Sequence, residues 1–226
     1  MKNIQMVNGK PLVRFPVDAA ARSKYVDEIW VATDSSDISN ATLDAGLPGK
    51  LYIYRRSKES AKDDSNSEDV LLEFAKKYHS NGFSKKDFDI MLFMQCTAPL
   101  TKEEDIDGGL ELLESEESID SVISGCDDAG GWFCGGFQWQ EKDYAERVTP
   151  YVHQRQDAPK YYRENGSFYI SYKNMFVKEK TRLPGNTKFY VMPKSRSFEI
   201  DDKEDLDLVK SNRPPPIFPF DARKHA

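Results

Sequence analysis

Short apolar runs alternate with helical segments along the first half of the chain. The apolar runs are residues 28–33, 51–54, 90–95 and 121–124. Helix-favouring segments cover residues 12–23, about 35–46, 67–78 and a stretch that begins at Thr101, with Ser67 and Thr101 expected to cap the helices that follow them. Each apolar run is bounded by polar residues, as expected of a strand buried on both faces. The alternation predicts an α/β fold with a doubly wound, mostly parallel sheet.

The pattern changes after Gly125. The next 35 or so residues are rich in glycine and aromatic side chains, and only residues 137–140 there have the pattern of a strand. We interpret residues of about 126–160 as a segment inserted into a single domain that spans residues 1–226. Three strands and a last helix are predicted after it, at residues 168–171, 188–192, 198–200 and about 203–212.

The charge and the composition exclude several classes of protein. The chain has 32 basic and 38 acidic residues, a formal net charge of −6, and the two signs are interspersed. A nucleic-acid binder needs a clustered basic surface, so no nucleic-acid partner is expected. No apolar run approaches the roughly 18 residues of a membrane span, and Met1 is not followed by a secretory signal. A soluble, cytoplasmic protein without a membrane partner is therefore expected.

Cysteine and histidine do not indicate a metal or disulfide site. Cys96, Cys126 and Cys134 are odd in number and include no Cys-x-x-Cys pair. The three histidines are scattered, without a carboxylate or cysteine at ligand spacing. Neither a disulfide framework nor a zinc site is predicted.

Two carboxylates near the end of the chain are candidates for binding a cation. Glu199 and Asp201 lie two residues apart in SFEIDD, just before the last predicted helix. In a strand, residues at this spacing point to the same face, so both side chains could bind one Mg²⁺ ion. The alternative is that they form an acidic cap for the helix.

Polar residues also follow two of the predicted strands. Arg55 and Arg56 end one strand, and Gln95 ends the next one along the chain. Ligands of open α/β sheets bind beyond the carboxyl ends of the strands, where an arginine can form a fork of hydrogen bonds to a phosphate or a base. The alternative is a solvated loop that binds nothing.

A cluster of basic and amide side chains precedes the strand at 168–171. Arg155, Arg163 and Asn165 lie within HQRQDAPKYYRENGSFYI. Two arginines and an amide suit an anionic substrate such as a sugar acid.

Several of these stretches, taken in order, resemble one family. The matching stretches are KN with GKPL, WVATD, YRRS with KDDSNSED, FMQCTAPL, RENGSFYI and FEIDD. Over residues 2 to about 208, the chain resembles the cytidylyltransferases of the CMP-sialic acid synthetase group. The resemblance implies a Mg²⁺-dependent enzyme that couples CTP to a nonulosonate sugar acid and releases pyrophosphate. It also implies a homodimer, because the inserted segment of the family reaches over a second subunit.

The same resemblance implies roles for individual residues. Nucleotide contacts are implied for Lys2, Asn3, Arg56 and Ser67, with Arg56 reading the cytosine. Sugar contacts are implied for Gln95, Arg155, Arg163, Asn165 and Tyr169, with Arg155 as the partner of the sugar carboxylate. Glu199 and Asp201 match the metal-binding pair, and Asp201 and Lys2 are the implied catalytic residues.

The chain also departs from the family pattern. Family members carry a strand and an Arg-x-x-Ser-Lys-Gly loop before the Lys-Asn pair, and both are expected to be absent here because the sequence begins at Met1. The absence of that strand is expected to expose pairing edges in the sheet. Glu199 replaces an aspartate, Ala98 replaces a serine, and Arg182 stands where aromatic residues often line the pocket. The sugar is therefore left open among sialic, legionaminic, pseudaminic and deaminated neuraminic acids.

Two other hypotheses remain beside the leading one. Without the phosphate loop, the chain could be a catalytically impaired nucleotide- or sugar-binding relic, or a regulatory partner. It could also transfer a different nucleotide to a sugar phosphate, although Arg56 and RENGSFYI favour cytidine and a sugar acid.

Overall fold

The computed structural model describes residues 2–43, 47, 50–57, 66–80, 88–127, 137–140, 144–147 and 162–211. The strands are β1 (Met6–Val7), β2 (Lys10–Pro11), β3 (Ile29–Thr33), β4 (Leu51–Arg55), β5 (Ile90–Met94), β6 (Ser121–Asp127), β7 (Phe137–Gln140), β8 (Tyr144–Arg147), β9 (Tyr162–Tyr172) and β10 (Thr187–Val191). The α-helices are α1 (Arg14–Arg22), α2 (Ser36–Leu43), α3 (Ser67–Ser80), α4 (Glu103–Glu114), α5 (Lys173–Glu179) and α6 (Lys203–Lys210). Short 3₁₀ turns cover Lys2–Ile4 and Lys194–Arg196.

The largest described sheet has four strands in the order β10, β6, β9, β5, with β10 parallel to β6 and β9 antiparallel to both of its neighbours. The parallel pair of β3 and β4 forms a second sheet. The strands β1 and β2 form a small hairpin, as do β7 and β8 within the predicted insertion. Every predicted strand up to residue 192 is confirmed, and so is the α/β fold class.

Helices cover both faces of β5. Met91 packs in an apolar cluster with Ala75 of α3 and Phe176 of α5. Leu92, the next residue, packs in a different cluster that includes Leu110 of α4 and residues of α1. Successive side chains of a strand point to opposite faces, so an uninterrupted apolar run fits a strand with a helical layer on each side. No helix in the described ranges is long and apolar enough to cross a membrane.

The predicted cap of α3 is wrong. Ser67 is the first residue of the helix, but Asn66 caps it, because its side-chain Oδ1 accepts a hydrogen bond of 2.8 Å from the backbone N–H of Asp69. An asparagine before a helix is as good a cap as a serine. The hydroxyl of Ser67 is therefore not used for capping.

The predicted cap of α4 is also wrong. The hydroxyl of Thr101 donates to the carbonyl oxygen of Ala98 at 3.1 Å, and the helix begins two residues later. The carboxylate of Asp105 accepts a hydrogen bond of 3.0 Å from the backbone N–H of Lys102 at this helix start. The residue that satisfies the helix terminus is therefore an aspartate inside the first turn.

Candidate active site

A large cavity of about 1270 Å³ lies between β3 and β5. Most of its wall is apolar. Polar residues that directly follow β4 and β5, Arg56 and Gln95, also line it. Six of the residues predicted from the sequence line it: Asn3, Arg56, Ser67, Gln95, Glu199 and Asp201. These residues come from five separate parts of the chain, so the fold brings together what the sequence only suggests as separate motifs.

The segment that carries Glu199 and Asp201 is not a strand, so the prediction of a strand at residues 198–200 is wrong. It follows the 3₁₀ turn and joins the sheet through a hydrogen bond of 2.8 Å from the N–H of Ile200 to the carbonyl oxygen of Thr97. Ile200 is fully buried, and the carboxylates on either side of it both line the cavity. The two carboxylates therefore line the same cavity because the irregular segment between them is anchored at Ile200, and not because they alternate along a strand.

Glu199 is positioned by a neighbour on the loop after β5. The hydroxyl of Thr97 donates to Oε1 of Glu199 at 2.9 Å. Asp201 is exposed, with 78% of its side chain accessible, and its Oδ1 lies 4.0 Å from Nζ of Lys2. In the part of the chain that the structure describes, no three His, Cys, Asp or Glu side chains gather to hold a metal. A pair of carboxylates nevertheless suits Mg²⁺, which commonly takes one or two carboxylates and completes its shell with water and phosphate oxygens.

Lys2 is tied to the same segment. Its Nζ donates to the carbonyl oxygen of Ile200 at 2.6 Å, in addition to its contact with Asp201. The carbonyl oxygen of Asn3 accepts a hydrogen bond of 2.9 Å from the N–H of Val13, at the start of α1. The beginning of the described chain is thus fixed beside the two carboxylates and carries a positive charge there.

A close backbone approach brings Gln95 and Glu199 together. Gly166 has a positive φ of 62°, and a Cβ at this position would lie 2.5 Å from Oε1 of Gln95 and 2.6 Å from Oε1 of Glu199. Only glycine adopts this backbone without strain and also leaves space for both side chains. Gly166 therefore shapes this end of the cavity.

Arg56 has an unsatisfied donor in the cavity. Its backbone N–H donates to the carbonyl oxygen of Thr33, and Arg56 lines the cavity, as Ser67 does. The Nε atom is buried and has no hydrogen-bond partner among the described residues. Buried donors are almost always paired, so an orphaned one at a cavity wall indicates a ligand contact.

Tyr169 is not among the residues that line the cavity, and its side chain is fixed by its neighbours on the sheet. Its ring stacks on Phe93 with centroids 5.9 Å apart, and the guanidinium carbon of Arg182 lies 4.8 Å from the ring centroid. Its hydroxyl donates to Glu164, and burial together with this hydrogen bond raises the pKa of the phenol above its ordinary value. Arg182 is in turn paired with Glu68 through a hydrogen bond of 2.6 Å. Tyr169 therefore remains neutral and fixed.

Two other predicted residues do not face the cavity. Arg163 is exposed on β9, where its Nη2 lies 3.9 Å from the sulfur of Cys126. Asn165 is buried, and its amide binds Ser124 and Ser197 within the protein. Arg155 lies outside the described residues.

Cys96 lies at the cavity wall but does not offer a nucleophile. Burial raises the pKa of its thiol to about 11. The reactive form of cysteine is the thiolate, which is scarce at neutral pH for a thiol of this kind. The chemistry of the cavity therefore belongs to its carboxylates and cations.

The comparison with family models decides the classification. Residues 1–210 match the model described as "Cytidylyltransferase". The chain belongs to the cytidylyltransferase family. Among curated relatives of this family, the N-acylneuraminate cytidylyltransferase of Streptococcus agalactiae is 29% identical over 211 residues, and that of Oncorhynchus mykiss is 30% identical over 211 residues. These matches cover 91% and 89% of this chain but 48% and 44% of the relatives, so the chain spans about half the length of the curated relatives it matches.

A third relative is similar in length. The post-translational flagellin modification protein B of Campylobacter coli is 23% identical over 209 residues, which cover 92% of this chain and 86% of that protein. Among solved structures, a CMP:2-keto-3-deoxy-manno-octonic acid synthetase complexed with CTP aligns with a TM-score of 0.64 at 17% identity, over 93% of this chain and 90% of the other. A 4-diphosphocytidyl-2C-methyl-D-erythritol synthase from Anaerococcus prevotii has a TM-score of 0.65 at 14% identity, over 91% and 87%. These structures share the cytidylyltransferase fold.

Sequence reasoning missed two residues that shape the site. Thr97 lies in the FMQCTAPL stretch, and the polar turn after a buried strand was the available signal. Arg196 precedes the acidic pair, and its Nε and Nη2 bind Asp105 of α4 at 3.0 Å and 2.5 Å. Nothing in the sequence connects Arg196 with a residue 91 positions earlier.

We predict that Gly166→Ala disturbs the site and that Gly9→Ala does not. Both glycines have positive φ, so each substitution strains the backbone and should lower the free energy of unfolding by about 1–2 kcal/mol. A Cβ at Gly9 would meet nothing within 4 Å, whereas one at Gly166 would displace Gln95 and Glu199. Urea unfolding measures the stability, and the NMR amide signals of Gln95 and Thr97 report on the site.

These signals should shift in Gly166→Ala and keep their positions in Gly9→Ala. Equal shifts in the two variants, or unchanged signals in Gly166→Ala, would contradict the close approach at Gly166.

Proposed function

We propose that this chain transfers a cytidylyl group from CTP to a nonulosonate sugar acid and releases pyrophosphate. The observation that carries the proposal is the cavity, which is lined by Glu199, by Asp201 and by Arg56, whose buried Nε has no hydrogen-bond partner among the described residues. The family match and the names of the N-acylneuraminate cytidylyltransferases support it. A protein that only binds is the weaker hypothesis, because binding alone does not require a pair of carboxylates beside a lysine.

Arg56 is proposed to recognise the cytosine. A guanidinium is always charged and presents a rigid set of N–H donors, which suits the ring nitrogen and carbonyl oxygen at the edge of this base. Ser67 lies at the same cavity wall and offers a second hydrogen-bonding group. Lys2 and Asn3 are proposed to contact the triphosphate and the ribose. The positive charge of Lys2 stands beside the acidic pair, where the phosphates would meet it.

The reaction is an in-line displacement at the α-phosphorus of CTP. An oxygen of the sugar forms the new P–O bond, the bond to the pyrophosphate breaks, and the proton of the sugar hydroxyl passes to water. Glu199 and Asp201 are proposed to hold Mg²⁺, which would neutralise part of the negative charge of the phosphates. The exposed carboxylate of Asp201 is also placed to orient the sugar hydroxyl, and Lys2 to stabilise the charge that develops.

The sugar acid is proposed to lie beyond Gln95. Gln95 lines the cavity next to Glu199, and Tyr169 lies on β9, opposite Phe93 of β5. Arg155 remains the proposed partner of the sugar carboxylate, whereas the position of Arg163 on β9, away from the cavity, does not support a contact with it. Asn165 is better assigned to positioning, because its amide binds Ser197 in the segment that leads to the acidic pair.

We further propose a cytoplasmic homodimer. The predicted insertion at about 126–160 contains the aromatic-rich stretch GGWFCGGFQWQ, a composition typical of interface cores. CTP is a nucleotide of the cell interior, and the two described cysteines, Cys96 and Cys126, are free thiols, as expected in a reducing compartment.

Arg56→Met is predicted to weaken CTP binding by tenfold or more, since a hydrogen bond from a charged group contributes about 1.5–3 kcal/mol. The neighbouring Arg55→Met, an exposed arginine at the same strand end, is the matched control and should bind CTP normally. Isothermal titration calorimetry gives the affinities. The melting temperature of Arg56→Met should not fall, because the substitution removes an unsatisfied buried donor.

A lower melting temperature with unchanged CTP affinity would assign Arg56 a structural role instead. Equal losses of affinity in the Arg55 and Arg56 variants would indicate a general effect of charge.

The reaction itself is tested by pyrophosphate release from CTP with Mg²⁺ and each eight- or nine-carbon 2-keto sugar acid in turn. We expect release that depends on one of these sugars and that falls at least a hundredfold in Asp201→Asn. Asp207→Asn is the control, since it removes an exposed carboxylate of α6 away from the cavity. CTP binding without release for any sugar would favour a binding protein over the enzyme.

A further inference from the structure

The backbone that carries Arg56 lies just outside the sheet. Strand β4 ends at Arg55, and the N–H of Arg56 reaches the carbonyl oxygen of Thr33 at 3.4 Å, which is long for a hydrogen bond. An arginine side chain has many rotamers, so a precise contact between its guanidinium and a ligand requires a backbone that is held in place. The contacts on either side of Arg56 therefore affect what this residue can bind.

One carboxylate holds the chain on both sides of Arg56. The hydroxyl of Tyr54, two residues before the arginine, donates to Oε1 of Glu73 at 2.7 Å. The hydroxyl of Ser57, the residue after the arginine, donates to Oε2 of Glu73 at 2.8 Å. Burial and the hydrogen bond to Glu73 raise the pKa of the Tyr54 phenol, so this hydroxyl stays protonated and remains a donor. Each oxygen of Glu73 thus accepts a hydrogen bond from one side of Arg56.

Glu73 is itself fixed on α3. Only 18% of its side chain is accessible, and Nζ of Lys77, one turn further along the helix, donates to its Oε1 at 2.5 Å. Phe74, the residue after Glu73, packs edge-on against the ring of Tyr54, with centroids 5.3 Å apart. The ion pair and the ring contact leave Glu73 little freedom relative to β4.

The helix that carries Glu73 also carries Ser67. Ser67 is the first residue of α3 and lines the cavity, whereas Glu73 lies roughly 9 Å further along the helix axis and does not line it. Ala75 anchors the same helix, because it packs in one apolar cluster with Met91 of β5 and Phe176 of α5. Glu73 therefore ties Arg56 to the element that supplies Ser67, without contact to the cavity.

We propose that Glu73 is a positioning residue, which holds the backbone around Arg56 so that the guanidinium is presented to the cavity in one orientation. The use of this orientation for the base of CTP rests on the proposed function, but the contact between Glu73 and the chain around Arg56 does not. If Glu73 only fastened α3 to the sheet, its effect on ligand binding would not depend on the guanidinium of Arg56.

The first test needs no nucleotide. The Nε–H group of Arg56 is buried, so it should give an NMR signal that exchanges slowly with water and that is absent from Arg56→Met. We expect this exchange to become about tenfold faster in Glu73→Ala and about threefold faster in Ser57→Ala, which lose two and one of the hydrogen bonds around the arginine. Tyr78→Phe is the matched control, because it removes a hydrogen bond of 2.9 Å between the same helix and Glu28, before β3, and should leave the exchange unchanged.

The second test is a double-mutant cycle, which shows whether Glu73 acts through Arg56. Isothermal titration calorimetry gives the affinity for CTP of Glu73→Ala, Arg56→Met and the double variant, and of the matching set with Ser57→Ala. We expect Glu73→Ala to weaken CTP binding about tenfold in the unmodified chain, since two hydrogen bonds are lost. In the Arg56→Met background the loss should be less than about twofold, because no guanidinium is left to position.

Equal losses in the two backgrounds would overturn the proposal. Unchanged Nε–H exchange in folded Ser57→Ala, or the same acceleration in Tyr78→Phe, would also overturn it, and Ser57→Ala provides this result even if Glu73→Ala does not fold. Failure of the unmodified chain to bind CTP would refute the proposed function, whereas the exchange measurement would still decide the role of Glu73. The two failures are therefore distinguishable.

Discussion

The position of the acidic pair depends on one buried charge. Asp105 of α4 is fully buried, and a buried carboxylate is costly unless it is paired and hydrogen-bonded. Arg196 pairs with it through two hydrogen bonds, and this contact raises the pKa of the guanidinium further. Because Arg196 lies three residues before Glu199, the ion pair fixes the start of the segment that ends at Asp201. Asn165 holds the same segment from β9. The position of the acidic pair therefore depends on contacts between residues that do not line the cavity.

The cavity extends from the apolar core to the candidate active site. Its apolar part borders the main core, and its polar end holds Arg56 and Glu199.

Local patterns in the sequence predicted most of the fold, and long-range contacts explain what they missed. The apolar runs predicted the strands because burial on both faces leaves a continuous hydrophobic signature. The predicted caps of α3 and α4 were wrong because asparagine, serine and aspartate side chains at neighbouring positions can accept hydrogen bonds from the same free backbone N–H groups. The sequence also does not show why α4 contains Gly109: a Cβ there would lie 2.7 Å from Phe168, so the glycine permits close packing of the helix on the sheet. For the site, the motifs predicted Arg56, Gln95 and the carboxylates, but not Arg196, whose partner is distant in sequence.

The central proposal is that one cavity binds the base and the phosphates of CTP. A crystal structure of the chain with CTP and Mg²⁺ tests it most directly. We expect the cytosine at the guanidinium of Arg56, the phosphates beside Lys2, and the metal bound by Glu199 and Asp201. A nucleotide bound elsewhere, or a metal that contacts neither carboxylate, would contradict it.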